Sequence, residues 1–248
     1  MSSLPDAVIL CGGAGVRLKS ITGDTPKPMA KIGGRPFLEL LLVQLKRHGC
    51  SRVVLSVGYK HEVIRGYFGE NALGLDIAYS VEAAPLGTGG ALAQAAGEIS
   101  TDSFLAMNGD SYADVDLGRL ALVHSKSAAD ATVVVIAETR SDAGSVMLSE
   151  TGEVTAFAEK SSELKTRYQS AGIYMFKKTL WSAIPRIGKL SLEEQLFPEW
   201  LVNAKRIEAF VFSGGCIDIG TPERYLKAQK LLADLEREAT MLGYEGKL

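Results

Sequence analysis

The chain has 248 residues, 46% of them hydrophobic and 23% charged, enough apolar material for one large domain or two small ones. Its formal charge of −2 excludes a general nucleic-acid surface, which would be strongly basic. Any affinity for phosphate must therefore reside in a local pocket.

Short apolar runs alternate with helical patterns along the first half. Residues 7–11 read as a buried strand. Residues 36–48 read as a helix, with a proline at the first turn, leucines at 38, 41, 42 and 45, and Gly49 as its stop. Residues 52–57 are a strand, 61–68 a short helix, 76–81 a strand and 89–96 a helix of small residues. Residues 103–107 are a strand, 117–125 a helix that Asp116 can cap, and 131–137 a strand. After about residue 140 the order changes. Residues 146–148, 154–159 and 168–176 are strand-like, 192–201 helical, 207–212 a strand, and 222–237 a long charged helix. Residues 242–248 read as a loosely held tail. The βαβα order predicts an α/β fold, a Rossmann-like three-layer sandwich with a mostly parallel central sheet and helices on both faces. Ligands bind such sheets beyond the carboxyl ends of the strands, where Cys11-Gly12 and Asn108-Gly109-Asp110 both fall.

The stretch Ala7-Val-Ile-Leu10-Cys-Gly12-Gly13-Ala-Gly15-Val-Arg17-Leu18, followed by Lys27-Pro28, carries the clearest chemistry. Glycines let backbone N–H groups close on an anion, and two cations can hold phosphate oxygens. The pattern is not a Walker loop, because Gly15 is followed by Val16-Arg17. It is not a dinucleotide fingerprint, because the last glycine is missing. The glycines alone would equally suit an ordinary strand-to-helix turn.

Asp110 follows the apolar run 104–107, a good place for a carboxylate that binds Mg²⁺ through oxygen. Asp218, between Ile217 and Ile219, is no ordinary surface charge; it is either a metal ligand or a buried aspartate capped by backbone N–H groups. Asp114 reads as loop and Asp116 as a helix cap. The acidic run could suit a metal-dependent glycosyltransferase, but the Arg17/Lys27 loop favours a triphosphate substrate. Cys11, Cys50 and Cys216 have no metal-ligand spacing and read as small apolar residues in a reducing compartment. His48, His61 and His124 read as structural or surface residues. The first residues lack the basic flank and apolar core of a signal peptide, and no window approaches a membrane span. The expectation is a cytoplasmic protein with no membrane and no nucleic-acid partner.

Six blocks together resemble the sugar-1-phosphate nucleotidyltransferases: residues 10–18 with Lys27-Pro28-Met29; Pro85-Leu-Gly-Thr-Gly-Gly-Ala-Leu92; Asn108-Gly-Asp110; Phe157-Ala-Glu-Lys160; Ser170-Ala-Gly-Ile-Tyr174; and Ile217-Asp-Ile-Gly-Thr-Pro222. They come in family order over about residues 6–225. The resemblance implies one domain, with residues 1–137 or so as a nucleotide-binding half and about 138–240 as a sugar-phosphate-binding half. It implies Mg²⁺ on Asp110 and Asp218, and a nucleotide held by Leu10, Gly12, Gly13, Gly15 and Gly109. Arg17 suits the leaving β- and γ-phosphates and Lys27 the α-phosphate. Pro85, Gly87 and Thr88 should wall the base. Lys160 is the candidate cation for the sugar phosphate, Glu159 an acceptor for sugar hydroxyls, and Gly144 and Gly172 backbone contacts to the sugar. A homo-oligomer is left open.

Glu82 bears on the base. Relatives that transfer thymidylyl or uridylyl groups usually carry glutamine there, which can both donate and accept; a carboxylate only accepts. Guanine offers adjacent N1–H and N2–H₂ donors, so Glu82 favours GTP, the competing reading being a solvated glutamate at a strand end. The segments Ser56-Val-Gly-Tyr-Lys-His-Glu62, Tyr67-Phe-Gly69 and Tyr79-Ser-Val-Glu82 are similar to the D-glycero-α-D-manno-heptose 1-phosphate guanylyltransferases. The implied reaction is GMP transfer from GTP to that sugar phosphate, releasing pyrophosphate. The alternatives are a mannose 1-phosphate guanylyltransferase, a uridylyl- or thymidylyltransferase, and a non-catalytic sensor of sugar nucleotides.

Overall fold

The computed structural model describes residues 4–13, 15–137, 145–158, 168–184 and 188–231. Four parallel strands form the centre of a ten-stranded sheet: β1 (Ala7–Leu10), β2 (Arg52–Val57), β3 (Leu75–Val81) and β4 (Ser103–Asn108), in the spatial order β4-β1-β2-β3. The two-residue strand Asn71–Ala72 lies antiparallel beside β3 at the edge. Parallel neighbours need long crossovers, and the helical segments of the first half supply them.

The second half changes direction. β5 (Ala131–Ile136), β6 (Ser145–Leu148), β7 (Val154–Ala158), β8 (Tyr168–Lys177) and β9 (Ile207–Phe212) complete the sheet. β8 runs antiparallel to β4, β5 and β6, β7 pairs antiparallel with β6, and β9 is parallel to β5. The sheet is therefore mixed, with its parallel part at the centre of the first half.

Period-two alternation sorts β1 between two cores. Ala7 and Ile9 join one apolar cluster with α1 (Phe37–Arg47), α2 (His61–Phe68), α4 (Leu117–Lys126) and α6 (Pro222–Leu231). Val8 joins the other, with α3 (Gly87–Ala95) and α5 (Phe197–Val202). Ala7, Val8 and Ile9 are all fully buried, which is why this strand reads as a continuous apolar run.

Element ends differ from the expected ones by a residue or two. Pro36 has extended ψ and caps α1, which starts at Phe37. α3 begins at Gly87, earlier than the small-residue pattern suggests. The segment expected as one helix over 192–201 opens as a π-turn, Leu192–Leu196, and continues as α5. Asp116 caps α4 as expected, its Oδ1 accepting from Arg119 N–H at 2.9 Å. α6 is described to Leu231; the rest of the expected helix and the tail 242–248 lie outside the described residues. No described helix is long and apolar enough to cross a membrane.

Candidate active site

The parallel strands deliver their carboxyl ends to one edge. Leu10 is in register with both Ser56 and Asn108, and Val57 with Val81. The residues that follow these ends therefore converge on a cleft of about 310 Å³. It is lined by Leu10 at the end of β1, by Gly12 and Gly13 after it, by Glu82 after β3, and by Gly109 and Asp110 after β4. Pro85, Gly87 and Thr88 form another wall, and Lys27 reaches in beside Asp110.

Lys27 Nζ donates to Asp110 Oδ2 at 2.5 Å, and Ser111 Oγ donates to Asp110 Oδ1 at 3.1 Å. Gly15, at φ +59°, packs on Lys27: a Cβ there would lie 3.0 Å from the lysine Cβ. Asp218 arrives through a separate two-stranded ladder, in which it is opposite Ser111 and Ile217 is opposite Tyr112. Ile219 N–H also donates to Asp110 O at 3.0 Å, so the backbones of the two aspartate segments run together. Asp218 Oδ1 accepts from Gly220 N–H at 2.9 Å and from Arg224 at 3.2 Å. The backbone cap expected of a structural aspartate is thus present, and Asp218 is not among the residues that line the cleft. No group of three or more His, Cys, Asp or Glu suited to a metal occurs among the described residues. Two carboxylates nevertheless fit a hard divalent ion that takes its remaining ligands from phosphate and water.

Glu82 is half-buried. Its Oε2 accepts from Leu86 N–H at 3.0 Å and its Oε1 from Ser56 Oγ at 3.4 Å. It lies so close to the first glycine loop that a Cβ on Gly12 would stand 2.1 Å from Oε1. This glutamate is built into the cleft wall rather than solvated at a strand end. The Leu86 N–H it binds opens α3, and Gly87, the next residue, adopts φ +69° with its α-carbon against Leu190 O; a Cβ there would stand 2.4 Å from that oxygen.

Several expected residues stand elsewhere. Arg17 is exposed on the single turn Val16–Leu18 and does not line the cleft. Gly172, at φ +72°, sits in an irregularity of β8, and a Cβ there would lie 2.5 Å from Asn108 Nδ2. Gly144, Glu159 and Lys160 lie outside the described residues. Asp114 pairs with Arg47 and accepts from Tyr112 OH at 3.2 Å, a structural role. His124 is buried against Thr132 and His48 faces Asp116, and neither lines the cleft.

Cys11, Pro28, Ala91, Asn108 and Lys189 also line the cleft. Burial, then Asp110 and Glu82, push the Cys11 thiol far up, so it stays a neutral apolar filler. Asn108 belongs to the Asn-Gly-Asp block and was legible as its neighbour. Lys189 had no local signal. It enters because Leu190 is tied to the wall that holds Pro85, Gly87 and Thr88, its carbonyl accepting from Gly89 N–H at 2.9 Å and its N–H donating to Leu86 O at 2.8 Å.

A profile of the nucleotidyl transferase family matches residues 6–234. The chain belongs to that family. Among its relatives, this nucleotidyl transferase is 39% identical over 222 residues to a D-glycero-α-D-manno-heptose 1-phosphate guanylyltransferase of Campylobacter jejuni, covering 88% of this chain and 96% of that one. It is 35% identical to the enzyme of the same name from Aneurinibacillus thermoaerophilus, over 92% of this chain and 98% of that one. A mannose-1-phosphate guanylyltransferase of Mycobacterium tuberculosis is 37% identical over 94% of this chain, which spans 65% of that relative. The nucleotidyl transferase also superposes on HddC from Yersinia pseudotuberculosis, solved in complex with GMP-PN, with a TM-score of 0.78 and 32% identity, over 92% of this chain and all of that one. Enzymes of this family generally use a divalent metal.

Proposed function

We propose that the protein transfers GMP from GTP to D-glycero-α-D-manno-heptose 1-phosphate, giving GDP-heptose and pyrophosphate. The observation that carries this reading is one cleft with a carboxylate acceptor, Glu82, in one wall and the Lys27–Asp110 pair in another. The choice of sugar rests on the two heptose 1-phosphate guanylyltransferases at 35–39% identity.

A phosphate oxygen of the sugar 1-phosphate attacks the α-phosphorus of GTP. The bond from that phosphorus to the bridging oxygen breaks, and pyrophosphate leaves with the electron pair. The nucleophile is already anionic, so no strong base is required; the protein must align anions and offset their charge. Lys27 supplies a cation beside the α-phosphate once a ligand draws it from Asp110. Arg17, on its exposed turn, supplies another to the leaving phosphates. Leu10, Gly12, Gly13, Gly15 and Gly109 offer backbone to the nucleotide, while Pro85, Gly87 and Thr88 wall the base. Glu82 accepts from guanine N1–H and N2–H₂. Asp110 and Asp218 are the residues that would hold Mg²⁺, which when bound offsets phosphate charge. Glu159, Lys160, Gly144 and Gly172 are assigned to the sugar phosphate by their motifs, and residues from about 138 to 240 to the sugar-binding half.

The test is pyrophosphate release with GTP, UTP and dTTP against heptose 1-phosphate and mannose 1-phosphate. GTP with the heptose is expected to give the highest kcat/KM. Better use of mannose 1-phosphate would overturn the heptose assignment alone. A preference for UTP or dTTP would overturn the guanine assignment and the role of Glu82.

A further inference from the structure

Glu193 stands on the π-turn that precedes α5 and belongs to none of the motif blocks. Its Oε1 accepts from Tyr174 OH at 2.7 Å, and Tyr174 OH shares a second hydrogen bond with Ser170 Oγ at 2.9 Å. Ser170 Oγ in turn accepts from Gly172 N–H at 3.1 Å. The chain of contacts therefore ends at the glycine packed on the cleft-lining Asn108. On its other side the turn is tied to the base wall, where Leu192 N–H donates to Thr88 Oγ1 at 2.8 Å. Leu192, Leu196 and Phe197 are buried, and Phe197 stacks on Phe157 with ring centroids 4.2 Å apart. The glutamate is thus fixed in place by packing on both flanks.

Tyr174 is buried, and burial with Glu193 beside it holds its hydroxyl well above the usual phenol range. It remains a neutral donor. That leaves a half-buried carboxylate with one neutral hydrogen bond and no ion pair among the described residues. Its second oxygen, Oε2, has no partner among them. That oxygen is accessible to solvent, so a ligand hydroxyl can donate to it in place of water. π-Turns also concentrate at functional sites.

We propose that Glu193 is a sugar-binding residue: Tyr174 orients one carboxylate oxygen, and the other accepts a hydroxyl group of the sugar 1-phosphate. This deepens the reading of the site as a sugar-1-phosphate nucleotidyltransferase and rests on it. A charge-assisted hydrogen bond of this kind corresponds to about 10- to 100-fold in affinity or rate.

The experiment compares wild type, Glu193→Ala, Glu193→Gln and Tyr174→Phe with whichever sugar 1-phosphate the wild type uses best. Glu193→Ala is expected to lower kcat/KM for the sugar phosphate by about 10- to 100-fold, with KM for GTP within about twofold. Glu193→Gln should recover part of the loss, because its amide oxygen can still take the Tyr174 hydrogen bond. A panel of monodeoxy sugar phosphates gives a second readout. Removing one particular hydroxyl should cost the wild type about as much as Glu193→Ala does, and cost the variant almost nothing. If every deoxy analogue loses equally in wild type and variant, or if sugar-phosphate kinetics are unchanged, the proposal is overturned and Glu193 only braces Tyr174. Should Glu193→Ala fail to fold, Glu193→Gln and Tyr174→Phe carry the same comparison. A wild type that turns over no sugar 1-phosphate would overturn the activity, and this proposal with it; a different preferred sugar would overturn only the heptose assignment.

Discussion

Lys27 and Asp110, 83 residues apart, meet at 2.5 Å where the loop after β1 crosses the end of β4. The aspartate is 38% exposed, so its charge is available to a ligand and contributes little to packing. Asp110→Asn is therefore expected to remove turnover almost completely while leaving the thermal transition near that of the wild type. The amide keeps the shape and loses the charge. Turnover measured across a Mg²⁺ titration checks this; near-normal activity at limiting Mg²⁺ would show that Asp110 holds no metal. Asp218→Asn is expected to be nearly as severe, with some loss of stability because Asp218 also anchors Gly220 and Arg224.

Arg17 is exposed, so Arg17→Ala should change stability by less than about 0.5 kcal/mol. It should nonetheless reduce kcat/KM by about 10²-fold if the guanidinium stabilises charge on the leaving phosphates. Thermal melts and steady-state kinetics on the same preparation separate the two effects. Wild-type kinetics would leave Arg17 as a solvated loop cation.

Glu82→Gln is expected to erode the preference for GTP over UTP or dTTP by about one to two powers of ten, since one oxygen acceptor remains. Gly12→Ala offers an independent approach. The new methyl would land 2.1 Å from Glu82 Oε1 and must push the carboxylate aside. Loss of GTP discrimination in a folded Gly12→Ala protein would tie the glycine to the base-reading group. Unaltered competition between GTP and UTP in both variants would remove Glu82 from base recognition.

His124 is buried, with Nδ1 2.8 Å from Thr132 Oγ1 and Nε2 without a partner among the described residues. Burial first, then Lys177, lowers its pKa from 6.5 to about 4. The unfolded chain takes up a proton near pH 6.5 that the native state refuses until about pH 4. The stability from neutral His124 is thus complete above pH 6.5 and declines as pH falls toward 4, by up to about 3 kcal/mol. Denaturant unfolding at a series of pH values, in wild type and His124→Gln, checks this. Parallel pH curves for the two proteins would show that another group governs acid sensitivity.

Much of the site was legible because its elements are local. An apolar run, a glycine loop and a carboxylate after a strand each declare themselves within a dozen residues. The βαβα order then places the carboxyl ends of parallel strands together, so Gly12 and Asp110 could be assigned to one cleft without coordinates, while Glu82 was picked out only by the family resemblance. The Asp116 cap follows from side-chain chemistry three residues away from its donor. The antiparallel second half was less legible, since short strand-like runs do not specify their partners.

Tertiary structure alone decided which distant side chains complete the walls. Lys189 reaches the cleft because Leu190 hydrogen-bonds to the backbone of α3 and to Leu86, a relation that no spacing encodes. The segment of Asp218 lies against that of Asp110 because Ser111 is its ladder partner and Ile219 N–H donates to Asp110 O. Glu193 meets Tyr174 because buried Leu192, Leu196 and Phe197 fix the turn that carries it. Local sequence specifies periodicity and backbone freedom; register and packing between segments far apart in the chain determine which side chains face each other.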